Sequence, residues 1–308
     1  MHRPIVIADM PRCGLGNKML VWARGLIFAK EFDLPFYTFG WEQLNIGPLL
    51  RGEKSNRYYG GYFQKNGSVW GRAKIKRAYK RAAQSVRLTE PDLKNIKGMD
   101  ISAYQYVVFN RVPEWNDYFG DIHHHRQLVR DAFMNMVKPS LLKLLDRQPA
   151  PGIGLHIRLG DFREPREGES FKETGGIRTP MSYFTEVVNK IRDIAGEEIP
   201  ATIFTNGKDA GLKEILKLPN IAVAPKNPDI IDLLLLARSR VIVTSARSTF
   251  GYWSGFFSEA PIILHPDHLF GSIRSKADGE KYYEGPLSDP CPALLKKHLI
   301  APHSIPNT

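Results

Sequence analysis

Cysteine is scarce in this 308-residue sequence, which contains only Cys13 and Cys291. Two cysteines so far apart match no zinc-ligand spacing and are too few for a disulfide framework, so we expect both to be reduced thiols. Long apolar runs are also missing, since none approaches the roughly 20 residues that a transmembrane helix needs. Residues 5–8 are apolar, but Asp9 and a Pro/Gly turn follow them directly, unlike a signal peptide. The sequence therefore predicts a cytoplasmic globular protein.

Familiar catalytic and metal-binding patterns are absent as well. The chain has no Gly-x-Ser-x-Gly nucleophile motif and no Asp-x-Asp pair in a catalytic setting, the kind of pair that holds a divalent cation on a diphosphate. The run His123-His124-His125 has no acidic ligand pair beside it, and successive side chains face different directions. We therefore predict no metal site and no cofactor.

The net charge of +11 is confined to the first half of the chain. Residues 1–150 hold 24 basic and 13 acidic side chains, whereas residues 151–308 hold 19 of each. Residues 72–87 contain seven basic residues and no acid, and their apolar residues recur at helical spacing, at Ile75, Tyr79, Ala82 and Val86. The pattern predicts one basic amphipathic helix. Three interpretations stay open: a solvated face, peripheral contact with an anionic membrane, or contact with nucleic acid.

A Pro/Gly-rich linker at residues 149–152 divides the chain into domains 1–150 and 151–308. The first domain opens with a strand over residues 5–8, a tight turn and a helix from Asn17.

Beyond the linker the hydrophobic pattern is regular. Strands over residues 153–157, 201–205 and 241–244 alternate with helices, one of them over residues 209–216. Such alternation is typical of a parallel, doubly wound α/β sheet. Ligands of these sheets bind beyond the carboxyl ends of the strands, so functional residues are expected there.

The first strand end carries Gly14, Gly16 and Asn17 between strand and helix. Two glycines let the backbone approach a ligand closely, and the helix that follows offers free N–H groups. A tight turn with no ligand is the alternative interpretation.

The second motif begins within the strand over 153–157 and runs off its carboxyl end. His156, Arg158 and Gly160 share one alternation phase, so Arg158 is expected to project from the end of the sheet. A guanidinium there is permanently charged and can bind a phosphate in a bidentate manner. Asp161 can orient Arg158 or accept hydrogen bonds from sugar hydroxyls. A purely structural Arg–Asp pair is the alternative.

The third motif follows the strand over 241–244 and includes Ser245, Ser248, Thr249 and Phe250. Small hydroxyl residues at a strand-to-helix junction supply side-chain donors beside a helix N-terminus, which suits an anion. Simple N-capping by Ser248 would also explain the pattern.

Together these motifs resemble those of glycosyltransferase family 11, the α-1,2-fucosyltransferases, within the fucosyltransferase superfamily. The family's Gly-x-Gly-Asn-Gln-Met segment corresponds here to Gly14-Leu15-Gly16-Asn17-Lys18-Met19. Its central His-x-Arg-Arg-Gly-Asp-Tyr signature corresponds to His156-Ile157-Arg158-Leu159-Gly160-Asp161-Phe162. Its Asn-Ser-Thr-Phe-Ser-Trp-Trp motif corresponds to Arg247-Ser248-Thr249-Phe250-Gly251-Tyr252-Trp253.

The resemblance implies an α/β fold of the GT-B type, with two Rossmann-like domains whose parallel sheets face a cleft. Residues 1–150 would form the acceptor-side domain and residues 151–308 the domain that binds the nucleotide sugar. The implied reaction is metal-independent, inverting transfer of L-fucose from GDP-fucose to a glycan hydroxyl.

The resemblance also implies the roles of individual residues. Catalytic roles fall to Arg158, Asp161 and Asn17. Contacts with the donor are expected from Gly14, Gly16, His156, Arg158, Thr205, Asn206, Ser245, Ser248, Thr249 and Phe250. Since no metal is expected, Arg158 and the helix N-terminus would stabilise the negative charge of the leaving diphosphate.

Three departures from the family pattern bear on the donor. Leu159 replaces a second arginine, Arg247 replaces an asparagine, and Thr205-Asn206 stands where a Ser-Asp pair is commoner. A nucleotide-sugar transferase with another donor therefore remains an alternative. A basic nucleic-acid-binding protein is the other alternative; it would explain the charge but not the anion-binding motifs of the second half, so no nucleic-acid partner is expected.

Overall fold

The computed structural model describes residues 3–44, 46–50, 55, 57–64, 73–170, 173–207, 209–268 and 271–300. These fall into two compact units, each with its own sheet. The first unit takes residues up to 50, residues 55–147 and residues 271–274. The second takes residues 148–268 and 275–300. Within the described residues, no helix is both long enough and apolar enough to cross a lipid bilayer.

The first unit contains a four-stranded sheet in which every neighbouring pair is parallel. Its strands are β1 (Ile5–Asp9), β2 (Phe36–Phe39), β3 (Arg87–Thr89) and β4 (Tyr106–Phe109), in the spatial order β2-β1-β4-β3. Its helices are α1 (Leu15–Glu31), α2 (Ile46–Leu50), α3 (Ala73–Arg81), α4 (Arg126–Met136) and α5 (Pro139–Asp146). Helix α1 begins two residues before the predicted start and is buried along most of its length.

The basic segment 72–87 is not one helix, which corrects the prediction. Residue 72 lies outside the described residues, and α3 ends at Arg81. The chain then makes a short turn and enters β3 at Arg87, which pairs with β4. The guanidinium of Arg87 donates hydrogen bonds to the carbonyls of Lys80 and Ala82. These bonds satisfy carbonyls that the end of a helix leaves without partners, so the helix stops there.

The second unit contains six parallel strands. They are β5 (Ile153–Ile157), β6 (Ala201–Thr205), β7 (Ile221–Val223), β8 (Val241–Thr244), β9 (Ile262–Ile263) and β10 (Glu284–Gly285). The helices are α6 (Met181–Ala195), α7 (Asp229–Ala237), α8 (Thr249–Phe257), α9 (Lys276–Gly279) and α10 (Ala293–Ile300). The predicted parallel sheet with intervening helices is confirmed.

The helix predicted over residues 209–216 is wrong. The structure has two separate 3₁₀ turns there, Asp209–Leu212 and Ile215–Lys217. Leu212 and Ile215 are both fully buried. Both side chains belong to the hydrophobic core of the second unit, so the apolar spacing that predicted a helix reflects burial of the two short turns.

The order of strands in the second sheet, β10-β9-β8-β5-β6-β7, determines where its ligand site is expected. The chain runs outward from β5 through β6 to β7, then returns to form β8 on the opposite side of β5. The topological switch point therefore lies between β5 and β8. In open parallel sheets, ligands bind in the crevice beyond the carboxyl ends of the two strands at such a point.

Candidate anion-binding site

Arg158 is the first residue after β5, and its guanidinium forms a bidentate ion pair with Asp161. Its Nε and Nη2 atoms lie 2.7 and 2.8 Å from the two carboxylate oxygens of Asp161. The side chains of the pair keep 18% and 25% exposure, so neither is sealed in the core. Within the described residues, no acceptor lies within hydrogen-bond distance of Nη1. Asp161 thus fixes the orientation of the guanidinium and leaves one edge able to donate to an anion.

Ser245 joins the end of β8 to the end of β5. Its hydroxyl oxygen accepts a hydrogen bond from the Arg158 N–H at 2.8 Å and donates to the His156 carbonyl at 3.1 Å. Its own N–H donates to that same carbonyl at 2.9 Å. Ser245 is only 1% exposed. It positions the backbone of Arg158, and its hydroxyl is already occupied.

Asn206, just beyond β6, holds the turn after Arg158 in a similar way. Its Oδ1 atom accepts hydrogen bonds from the N–H groups of Leu159 and Gly160, both at 3.1 Å. These two donors fix the orientation of the amide, whose buried Nδ2 atom has no partner within the described residues. Thr205 accepts a hydrogen bond from the Gly207 N–H. Both predicted residues therefore shape the loops at the switch point.

His156 lies in the core rather than on the surface of the site. It is 4% exposed and stacks on Phe250, with ring centroids 5.1 Å apart. Burial and the nearby charge of Arg158 lower its pKa to about 3, so the ring is neutral at physiological pH. A Cβ added at Gly251 would come 1.9 Å from Thr244 Oγ1 and 3.1 Å from His156 Nδ1. The N-terminus of α8 therefore sits directly against the ends of β5 and β8.

Ser248, Thr249 and Phe250 lie at the start of helix α8. Ser248 occupies the N-cap position, but its side chain makes no capping hydrogen bond. The predicted alternative of simple N-capping is thus not what the hydroxyl does. Thr249 and Phe250 form the first turn and are half-buried. The first N–H groups of the helix and the positive end of its dipole favour a negative charge at this position.

Arg247 adds a second guanidinium immediately before α8. Its backbone is left-handed, with φ at +58°, and its N–H donates to the Tyr252 hydroxyl at 2.5 Å. That hydroxyl lies 2.8 Å from His268 Nδ1. The two groups are therefore within hydrogen-bond distance of each other. Burial lowers the pKa of His268 to about 4.

The loop from residue 159 to residue 179 contains positioning residues that the sequence analysis missed. Arg178 Nε donates to the carbonyls of Leu159 and Phe162, at 3.2 and 2.7 Å. Thr179, which is buried, accepts a hydrogen bond from the Ala246 N–H at 2.9 Å. These contacts link the turn after β5 to the turn after β8. Because the linked residues are far apart in the sequence, no local pattern predicts the contacts.

Leu159, which departs from the family pattern, is a core residue. It is 5% exposed and belongs to the main hydrophobic cluster of the second unit. A Cβ added at Gly207 would come 2.4 Å from the Leu159 Cβ. The side chain at this position is therefore packed against backbone and does not face a ligand.

The glycine turn of the first unit lies beyond the carboxyl end of β1. Gly14 is the N-cap residue of α1, and a Cβ added there would meet no atom within 4 Å. Gly16 is buried, and Asn17 is partly exposed. These residues belong to the first unit, whereas Arg158, Asp161 and the residues around α8 belong to the second.

Lys18, next to Asn17, is completely buried. Its ammonium donates to the carbonyls of Pro11 and Gly40 and to Gln43 Oε1, at 2.8, 2.7 and 2.6 Å. Three donors thus meet three oxygen acceptors. Burial lowers the pKa of Lys18 to about 8 and raises that of Cys13 to about 11. Lys18 therefore joins the turn after β1 to the turn after β2.

The described residues contain no group of three or more His, Cys, Asp or Glu side chains placed to hold a metal ion. The run His123-His124-His125 forms a short 3₁₀ turn before α4.

No protein-family model matches the chain, and no curated protein matches its sequence. Solved structures do match. The fucosyltransferase NodZ from Bradyrhizobium superposes with a TM-score of 0.56 at 14% identity, over 87% of this chain and 98% of that chain. NodZ α-1,6-fucosyltransferase soaked with GDP-fucose gives a TM-score of 0.54 at 13% identity, over 88% and 97% of the two chains. The same enzyme co-crystallised with GDP gives 0.55 at 12% identity, over 86% and 95%.

At this level of identity the likeness concerns the fold. It extends over most of both chains and therefore includes both parallel sheets. The chain has the α/β fold of the GT-B type found in fucosyltransferases, as the motif resemblance predicted.

Proposed function

We propose that this chain is a fucosyltransferase that transfers L-fucose from GDP-fucose to a hydroxyl group of a glycan acceptor. Two independent lines support the proposal. One is the set of three motifs that resemble glycosyltransferase family 11. The other is the fold shared with NodZ, which has been soaked with GDP-fucose and crystallised with GDP.

A single observation carries the proposal most strongly: a partly exposed, oriented guanidinium stands at the switch point of the second sheet. Arg158 follows β5 directly, its position is fixed by Ser245 and Asp161, and its Nη1 atom has no acceptor within the described residues. The uncapped N-terminus of α8 follows the neighbouring strand. Both features supply positive charge where parallel sheets bind their ligands.

The chemistry of transfer explains why such charge is needed. A bond forms between the acceptor oxygen and the anomeric carbon of fucose while the bond from that carbon to the β-phosphate oxygen breaks. The proton of the acceptor hydroxyl is released to solvent. Negative charge builds up on the departing GDP. Fixed cations and N–H dipoles stabilise that charge without reorganising during the reaction. In our proposal Arg158 and the first turn of α8, with Ser248 and Thr249, provide this stabilisation without a metal ion.

Arg247 is proposed as the second cation of the site. Leu159 is packed in the core, so the position that holds an arginine in the resembled family supplies no charge here. Arg247 stands at the start of α8 instead of an asparagine. Its left-handed backbone and its bond to Tyr252 hold it in the turn after β8.

The linkage is a finer part of the proposal. The motif resemblance favours α-1,2 transfer with inversion, whereas NodZ is an α-1,6-fucosyltransferase. We propose α-1,2 transfer to an oligosaccharide or lipid-linked glycan. Linkage analysis of the product by NMR tests this directly, and an α-1,6 product would assign the chain to the other specificity.

A thermal-shift panel tests the donor. GDP and GDP-fucose are expected to raise the melting temperature, because a ligand at about 100 times its Kd stabilises the folded state by about 2.7 kcal/mol. UDP, ADP and NAD are expected to have no effect. Because the proposed binding uses no metal ion, excess EDTA in the buffer is expected to leave the rise in melting temperature unchanged.

The other outcomes of the panel are equally informative. Stabilisation by UDP or ADP in place of GDP would favour a transferase with another nucleotide-sugar donor, which the Thr205-Asn206 pair leaves open. No shift with any nucleotide would overturn the proposal.

A further inference from the structure

Helix α3 presents a surface of one charge sign. Five of its nine residues are basic, and all five side chains are exposed: Lys74, Lys76, Arg77, Lys80 and Arg81. No acidic residue occurs from residue 73 to residue 89. Lys80 is paired with Asp9 at 2.6 Å, which leaves the other four cations as the net charge of the helix face.

The apolar side of α3 is used within the first unit. Tyr79 is 2% exposed and stacks on Phe39, with ring centroids 6.1 Å apart. Both belong to a core cluster with Ile7 and Val108, against which Ile75 also packs. The helix is thus fixed to its sheet by its apolar face, and the long side chains on its exposed side are all basic.

A second group of exposed residues lies in the segment between β2 and α3 and is apolar. Leu44, Ile46 and Leu50 are 71%, 70% and 82% exposed. Ile46 and Leu50 are four residues apart on α2, so they share one side of that helix. Large aliphatic side chains rarely stand together in water unless they contact something else.

A pocket is lined both by residues that follow β2 and by residues of α3. It lies beyond the carboxyl end of β2, has a volume of about 270 Å³, and is lined by residues 38–43 together with Ala73 and Lys76 of α3. Lys76 Nζ lies 5.3 Å from the centroid of the Phe39 ring on the same side. Leu44 follows the last of the lining residues, so the apolar group begins at the rim of the pocket.

We propose that α3 and the exposed apolar residues Leu44, Ile46 and Leu50 form a docking surface for a lipid bilayer that contains anionic lipid. The cations are attracted to the negative surface potential, and the aliphatic side chains enter the boundary between headgroups and acyl chains. A nucleic-acid partner would use the cations but would leave the aliphatic residues in water. The docking surface includes none of the residues to which the motif resemblance assigns a role in transfer.

Vesicle co-sedimentation tests the proposal on the full chain. At low salt the protein is expected to bind vesicles of phosphatidylcholine mixed with phosphatidylglycerol and not vesicles of phosphatidylcholine alone. Binding is expected to weaken as salt is added, because salt screens exposed charges. No binding, or equal binding to both kinds of vesicle, would overturn the proposal.

Two variants separate the contributions of charge and apolar contact. The triple variant Lys74→Gln/Arg77→Gln/Arg81→Gln is expected to bind on the order of 10²-fold more weakly, since each basic residue near an anionic surface contributes about 1 kcal/mol. The variant Leu44→Ser/Ile46→Ser/Leu50→Ser is expected to bind more weakly with an unchanged salt dependence.

A matched control removes the same charge elsewhere. Lys213, Lys217 and Lys226 are exposed in the second unit. Their replacement by Gln is expected to leave vesicle binding within about two-fold of the wild type, because none of them belongs to the docking surface. An equal loss in this control would show that total charge, and not the docking surface, drives binding. Binding to an oligonucleotide with none to vesicles would assign α3 to nucleic acid and overturn the proposal.

Discussion

Arg158 and Asp161 form an ion pair, and this pair holds the guanidinium of Arg158 in one orientation. An isolated arginine at a loop would sample many rotamers. Here two of its three nitrogen atoms are fixed by one carboxylate, and its backbone N–H is fixed by Ser245. The remaining edge is therefore held in one direction before any anion arrives.

Replacing Arg158 is expected to remove the main charge stabilisation of the site. Arg158→Ala should lower the rate of sugar transfer by about 10²–10³-fold, the effect of losing one fixed donor to a developing negative charge. Arg158→Lys should recover little, because an ammonium cannot replace the planar fork held by Asp161. Steady-state kinetics of transfer measures both.

Arg166 offers the matched control for that experiment. It lies in the same loop, and its side chain is exposed, so Arg166→Ala should transfer sugar at nearly the wild-type rate. Wild-type turnover by a folded Arg158→Ala protein would remove Arg158 from its assigned role.

Lys18 gives a stability prediction for the first unit. Lys18→Met leaves three oxygen acceptors without their donor and should lower the free energy of unfolding by about 3 kcal/mol, since a buried unsatisfied polar group costs about 1–3 kcal/mol. Lys18→Gln, which restores the residue of the resembled family, keeps an N–H donor and should cost less. Urea unfolding measures both variants, and Lys30→Met on the exposed side of α1 is the control. Equal stability of Lys18→Met and the wild type would contradict the structural role of Lys18.

The elements differ in how far sequence alone could predict them. Short apolar runs that end in turn residues predict strands β5, β6 and β8. The same runs predict that Arg158 and Ser248 follow the ends of strands, as the structure shows. The extent of α3 was not predictable in this way. Its end depends on Arg87, which enters β3 because β3 pairs with β4 about twenty residues further along the chain.

The burial of His156 also depends on an arrangement that no local pattern reveals. Alternation places His156 and Arg158 on one face of β5, and a half-exposed strand would present both to a ligand. In the folded chain β5 lies between β6 and β8 with all five of its residues buried. Central strands of parallel sheets are covered on both faces, so only the residue beyond the strand reaches the site.

Gly251 allows helix α8 to pack closely against its sheet, and a substitution tests this contact. Gly251→Ala would place a methyl group in contact with Thr244 and His156. The helix must then move outward, and we expect a loss of about 1–3 kcal/mol in the free energy of unfolding, as for other overpacked cores. Gly279→Ala at the end of α9 meets no atom within 4 Å and should stay within about 0.5 kcal/mol of the wild type, as exposed substitutions usually do. Equal stability of the two variants, measured by thermal or urea unfolding, would show that the contact is not restrictive.

For the molecule as a whole, buried histidines predict sensitivity to acid. Burial lowers the pKa of five histidines, to about 3 for His156 and about 4 for His268. These histidines take up protons near pH 6.5 in the unfolded chain, whereas His156 and His268 stay neutral in the folded chain at that pH. The unfolded state therefore binds more protons below that pH, so stability must fall as the pH decreases.

The contribution of His156 to the pH dependence of the unfolding free energy can be measured. His156 should contribute about 1.4 kcal/mol per pH unit below pH 6.5, until the pH approaches its folded pKa of about 3. Urea unfolding between pH 7 and pH 5 should show a shallower pH dependence for His156→Leu than for the wild type, whatever its stability at pH 7. An identical slope in both proteins would mean that His156 is protonated in the folded state.

The bonds that Ser245 and Asn206 make to the turn after β5 have a consequence for solvent exchange. The amides of Arg158, Leu159 and Gly160 lie outside any strand, yet each donates to a side-chain oxygen. In deuterated water such amides should retain their hydrogens about as long as those of the adjoining strand, because they exchange only when the surrounding unit opens. The turn that we propose binds the donor would then be among the segments that exchange hydrogen for deuterium most slowly.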